Sequence, residues 1–238
     1  MTNGYLFREY IGAQFTGVQF TDVPINAMLS MHFILAFAID YTPVNQKPTP
    51  TPTNGVFSPF WDTDNLSPSA VAAIKAAHPN VAVMAGIGGD SVQDIVKANF
   101  TPTSINSWVS NAVTSLTGST ASTSTTSTSP PTPTGKYSGV IDYVNFQFYG
   151  YGANTDVPLY VQFYDQQSAN YPGGKVLASF MTGNTTGLIS PDLGISAAKE
   201  LQRQNKLPGL FIWSADSSKK SSYGFKYEIQ GQQIIANH

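Results

Sequence analysis

Between Met31 and Tyr41 the chain reads "MHFILAFAIDY", apolar with scarcely a break until Asp40. A strand with one wet face alternates apolar and polar side chains, whereas an unbroken run belongs to a strand covered on both faces. Such strands occur in parallel sheets packed under helices, so this stretch favours an α/β fold. Its apolar centre, Phe33–Ile39, is too short to cross a bilayer.

Five further runs share the pattern: "EYIGAQF" (Glu9–Phe15), "NVAVMAGIGG" (Asn80–Gly89), "GVIDYVNFQFYGY" (Gly139–Tyr151), "KVLASFMTG" (Lys175–Gly183) and "LPGLFIWSAD" (Leu207–Asp216). Helical signals lie between them. Ser67 and Pro68 form an N-cap and first-turn pair ahead of an alanine-rich segment that Pro79 stops. A second helix is expected over "TPTSINSWVSNAVTSLT", with Ile105, Trp108, Val109, Ala112, Val113 and Leu116 on one apolar face. "VPLYVQFYDQQSANYPGG" is a weaker helical candidate. "SPDLGISAAKELQRQNK" starts on Ser190 and Pro191, and a last helix is expected from Ser222 to Ala236. Strand alternating with helix predicts parallel strands joined by right-handed crossovers, in one domain over residues 1–238. In barrels of this kind function collects at the carboxyl ends of the strands.

Charged residues are only 11% of the 238, and the net charge is −2. Neither a nucleic acid nor an anionic membrane surface is an expected partner. The absence of cysteine removes disulfides and thiolate chemistry. "MTNGYLFREY" has no apolar leader, and sequons stand at Asn65, Asn99 and Asn184, so an extracellular or vacuolar location and a cytoplasmic one both stay open. No metal or cofactor is expected, because His32, His78 and His238 are scattered.

The strand count is incomplete. Six runs are present where a closed (β/α)8 barrel needs eight, a deficit of two strand–helix units, or on the order of 60 residues. Only the 19 residues Thr117–Gly135 stand in that place, all of them Ser, Thr, Ala, Gly or Pro. They carry no apolar period, so no regular structure is expected there.

The segments "LFREYIGAQF", Met31–Tyr41, "FWDTDNLSPSAVAAIK", "GIGGDS", "IDYVNFQFY" and "GLFIWSAD", in this order, resemble the plant chitinase-like branch of glycoside hydrolase family 18, which includes narbonin-type seed proteins. The resemblance implies a TIM-type (β/α)8 barrel, here lacking ordered units around strands four and five. It also implies substrate-assisted hydrolysis of β-1,4-linked N-acetylglucosamine. In that chemistry a glutamate of the family's fourth strand protonates the glycosidic oxygen, and the signature is D-x-x-D-x-D-x-E. No such signature occurs in this chain. Its three glutamates are Glu9, expected at the bottom of the first strand, and Glu200 and Glu228, expected in helices. The third-strand S-x-G-G motif reads Gly86-Ile87-Gly88-Gly89, so its serine is also missing.

The expectation is a chitinase-like protein without hydrolytic activity, in a storage, carbohydrate-binding or inhibitor role. The alternative is an active chitinase whose acid-bearing strand is absent from the sequence as it stands. No catalytic residue is assigned. The resemblance nominates Tyr149 as the acetamido-contacting tyrosine, Gln147 on the same strand face, Trp213 as the floor of a sugar subsite, and Asp90 as a hydroxyl partner or helix cap. Asp40 and Asp216 read as loop-capping acids at strand ends. The expected partner is chitin or an N-acetylglucosamine oligosaccharide. A monomer is expected, with self-association through open sheet edges as its liability.

Overall fold

The long apolar runs form parallel strands, shorter than the runs themselves. A computed structural model of the chain describes residues 5–42, 49–88, 100–117, 141–183 and 185–237. The parallel strands are β1 (Leu6–Ile11), β2 (Ser30–Ile39), β4 (Val81–Ile87), β5 (Tyr143–Asn145), β6 (Lys175–Met181) and β7 (Gly209–Trp213). A two-residue strand, β3 (Ser58–Pro59), pairs antiparallel with the end of β2. The parallel order is β4-β2-β1-β7-β6-β5. This is an arc of six staves from an eight-stave barrel, and its opening lies between β4 and β5. Among the described residues no strand pairs with the far edge of β4 or of β5. Most of the low-complexity segment, residues 118–135, lies outside the described residues, as does Asp90.

The two faces of each strand bury into different cores, which is why the runs do not alternate in polarity. Leu6, Tyr10, Ile34, Ala36, Leu177 and Phe211 meet in the lumen. Phe7, Ile11, Phe33, Leu35, Val176, Leu210 and Ile212 turn outward under the helices.

Helix α1 (Pro68–Ala77) starts as its caps dictate, with Ser67 Oγ accepting the Ala70 N–H at 3.3 Å. Helices α3 (Val157–Asn170) and α4 (Pro191–Arg203) use Asp156 and Ser190 in the same way. Gly194 lets α4 approach β6 closely, because a Cβ there would lie 2.4 Å from the Phe180 Cβ.

Four expectations are corrected. The helix α2 (Ile105–Thr117) buries Ala112 and Leu116 and half-buries Trp108, while Ile105, Val109 and Val113 are 66%, 49% and 58% exposed. The apolar face read from the sequence is therefore divided, and half of it faces outward. The last helix, expected from Ser222, starts at Lys226: α6 (Lys226–Ala236) follows a turn with Gly224 at φ +54, and an unexpected short helix, α5 (Ala215–Lys220), precedes it. The run through Asp216 leaves the sheet at Trp213, because Asp216 already belongs to α5. Glu9 does not open its strand. It is the fourth residue of β1 and sits on the outward face with Phe7 and Ile11, fully buried near Glu228 and Asp216.

Candidate functional site: the aromatic mouth

At the carboxyl ends of the strands an aromatic cluster closes the lumen. Tyr10 lies 5.2 Å from Trp213 and 6.1 Å from Phe37 between ring centroids. Phe37 stacks on Trp213 at 5.8 Å with an interplanar angle of 19°. Tyr149 packs edge-on against Phe211 at 6.1 Å. Tyr149 and Phe211 belong to one hydrophobic cluster, against which Phe37, Met181 and Trp213 pack. The mouth thus brings Tyr149 and Trp213, named from the sequence, into one assembly.

Backbone irregularities aim these rings. Along β2 the period of two would send Phe37 outward with Phe33 and Leu35. A register shift against β4 between Ala36 and Ala38 turns Phe37 into the lumen instead. The Ala36–Phe37 and Trp213–Ser214 peptides are both cis. Gly86 faces the same space. A Cβ at this position would lie 3.2 Å from both Ile34 Cγ2 and Phe37 Cδ1, and 3.3 Å from the Leu35 carbonyl oxygen. The family serine would therefore crowd the ring that occupies this mouth. Phe37 and Tyr10 were missed by sequence reasoning, because a bulge leaves no signal in a run apolar on both faces.

Tyr149 does not stand on a strand. Strand β5 ends at Asn145, and residues 148–150 form a 3-10 turn. The same-face argument that joined Gln147 to Tyr149 fails with it: Gln147 is exposed, while Tyr149 is 8% exposed.

The strand-end acids brace loops. Asp216 accepts the Gly12 N–H at 2.7 Å, the Gln14 N–H at 3.2 Å and the Thr16 hydroxyl at 3.1 Å. Asp40 accepts the Phe100 N–H at 2.9 Å and the Trp108 indole N–H at 2.8 Å. Asp62 accepts the Gly17 N–H at 3.1 Å and bonds to the Asn65 side chain. These contacts shape the loops above the mouth.

All three glutamates lie away from the mouth. Glu9 and Glu228 are buried between β1 and the α5–α6 segment. Burial holds the Glu9 carboxyl well above the usual carboxylate range, and the charges of Glu228 and Asp216 push it further. Among the described residues neither Glu9 oxygen has a hydrogen-bond partner. Burial raises Glu228 to about 7, although it accepts a short hydrogen bond from the Ser218 hydroxyl. Glu200 lies on α4 in an ion pair with Arg203 at 2.6 Å.

Comparison with known proteins places this geometry. Chitinase 1 of Tulipa saxatilis subsp. bakeri is 44% identical over 284 residues, covering 100% of this chain and 89% of the relative. Against the 238 residues of this chain that span leaves a difference of 46, which the relative carries and this chain lacks. The catalytic domain of a family GH18 chitinase from the fern Peteris ryukyuensis superposes with a TM-score of 0.84 at 41% identity, covering 97% of this chain and 99% of that one. A family 18 chitinase from Crocus vernus does so with a TM-score of 0.82 at 34% identity and the same coverages. No protein-family model matches the chain.

Proposed function

Because the chain belongs to the glycoside hydrolase family 18 chitinases, we propose that it binds N-acetylglucosamine oligosaccharides at the aromatic mouth and does not hydrolyse them. The reading rests on one observation. The three glutamates of the chain sit behind the barrel or on its outer surface, and none lies beside Tyr149 and Trp213. Protonation of a glycosidic oxygen needs a titratable group within reach of it. The apolar side chains of the mouth include Tyr10, Phe37, Tyr149, Met181 and Trp213. They offer stacking surface and a phenolic hydrogen bond, which suits a pyranose ring with its acetamido group. Phe37 already stacks against Trp213, so the sugar takes the remaining indole surface.

Two measurements on the purified chain test this. Chitotriose is expected to raise Tm saturably, and Trp213→Ala is expected to abolish the rise. Chitohexaose incubated with the protein is expected to remain intact by chromatography. Release of shorter oligosaccharides above background would overturn the non-hydrolytic reading.

The difference of 46 residues from the tulip relative favours a second reading, an active chitinase whose natural chain carries the acid-bearing unit. Mass spectrometry of the tryptic peptides between Trp108 and Lys136 decides between the two. An unaltered match to the Ser/Thr tract rules the second reading out.

A further inference from the structure

Deeper in the lumen than the mouth's ring cluster stands a charged group that the sugar site does not use. Arg8 is the third residue of β1, and its side chain enters the lumen on the face of Leu6 and Tyr10. It is 3% exposed. Nη1 donates to Asn145 Oδ1 on β5 at 3.0 Å, and the guanidinium carbon lies 4.8 Å from the Tyr143 ring centroid. Asn145 in turn donates to the Tyr10 hydroxyl at 3.2 Å. Among the described residues Arg8 Nε has no acceptor, and no carboxylate forms an ion pair with the guanidinium.

The neighbouring strand repeats the deficit. Arg8 is in register with His32 on β2. Its Nε2 lies 3.4 Å from the Ser30 hydroxyl, a contact either tautomer can make, and the other ring nitrogen is Nδ1. That nitrogen is buried and has no partner among the described residues. Burial and the Arg8 charge lower the His32 pKa to about 4, so the ring is neutral at pH 7. Two buried nitrogens on adjacent, register-matched residues therefore stand in the lumen without partners, and one belongs to a charged guanidinium. A buried donor with no acceptor costs about 1–3 kcal/mol, more when it is charged, so this place calls for an acceptor group.

We propose that the lumen beside Arg8 and His32 binds a small carboxylate monoanion, one oxygen on Arg8 Nε–H and the other on His32 Nδ1–H, in the tautomer whose Nε2 accepts from Ser30. Two donors match the two oxygens of a carboxylate, and one charge matches one charge. A dianion would leave a surplus negative charge in a desolvated space beside Asp142, whose field already reaches Arg8. Lys175 stands exposed at the rim with Nζ 5.6 Å from the Tyr143 ring, and it attracts the anion without being buried with it. The bound anion supplies the direct ion pair that no described side chain gives Arg8.

The experiment is thermal unfolding of the full chain at pH 7, with sodium acetate replacing sodium chloride at constant ionic strength. A saturable Tm rise on the order of 4 °C is expected. Arg8→Met is expected to abolish it, and saturating chitotriose to leave it in place, which separates this site from the mouth. Should Arg8→Met not fold, saturation-transfer NMR on the wild-type chain reads the acetate methyl signal directly. That signal is expected to vanish with excess formate and in His32→Leu. A Tm that rises linearly without saturation, or equally in chloride, overturns the proposal. So does an acetate response that survives loss of both side chains.

Discussion

Phe37 and Glu228 show how single residues set this protein's behaviour. Phe37 enters the lumen because of one register shift, and its ring then makes Gly86 the only residue type that fits opposite without displacement. Glu228 acts through its protonation state. Its pKa rises from the ordinary 4.5 to about 7 in the folded chain, so between those values the folded state binds more protons than the unfolded one. Stability therefore falls as pH rises through this window, and the contribution is fully present below it. Glu9, displaced in the same direction, extends the loss to higher pH. The difference at Glu228 corresponds to about 3 kcal/mol. Tm is expected to be higher at pH 5 than at pH 8. Glu228→Gln, which keeps an acceptor for Ser218, is expected to flatten that slope; calorimetry across the pH series measures both.

At the scale of elements, β5 is short because side chains replace its ladder. Pairing with β6 covers only Tyr143 to Asn145. Beyond it the Phe148 N–H donates to Ser179 Oγ at 2.9 Å, and that hydroxyl donates to the Phe146 carbonyl at 2.8 Å. Tyr160 of α3 completes the exchange. Its hydroxyl accepts the Ser179 N–H at 2.9 Å and donates to the Ser179 carbonyl at 2.8 Å. A helix side chain thus takes the place of a missing strand partner. Tyr160→Phe leaves a buried N–H and C=O without partners and is expected to cost about 1–3 kcal/mol, read as a lower urea midpoint at unchanged m-value. The capped helix starts at Ser67 and Ser190 were legible because caps are local chemistry, and Asp156 caps α3 in the same way without having been named from the sequence. The division of α2 was not. Periodicity shows that a face is apolar, but only the neighbouring elements decide how much of it is covered.

Across the whole molecule, the β1–β7 pairing ties the two ends of the chain together, and the opening lies on the far side between β4 and β5. Among the described residues the outer edges of β4 and β5 have no strand partner, which makes this side the weak one. A chimera that replaces residues 118–140 with the tulip relative's corresponding, longer segment is expected to raise Tm by roughly 5 °C or more. Sedimentation velocity is expected to show less concentration-dependent association for the chimera than for the parent chain. An equal or lower Tm would place the surplus elsewhere in the barrel.

By itself the sequence determined a parallel α/β barrel six strands long, its missing stretch and its family. Those properties follow from runs, caps and counts that each reside in a few consecutive residues. Trp213 and Tyr149 could be named from the same local matches. Only the tertiary structure decided that Phe37 shares their mouth, that Gln147 is exposed ahead of a turn, that Glu9 faces Glu228 behind the sheet, and that Arg8 crosses the lumen to Asn145. A strand buried on both faces gives no polarity signal for which side each residue takes. The bulge, the turn and the cross-lumen distances that settle it join residues as far as 137 positions apart.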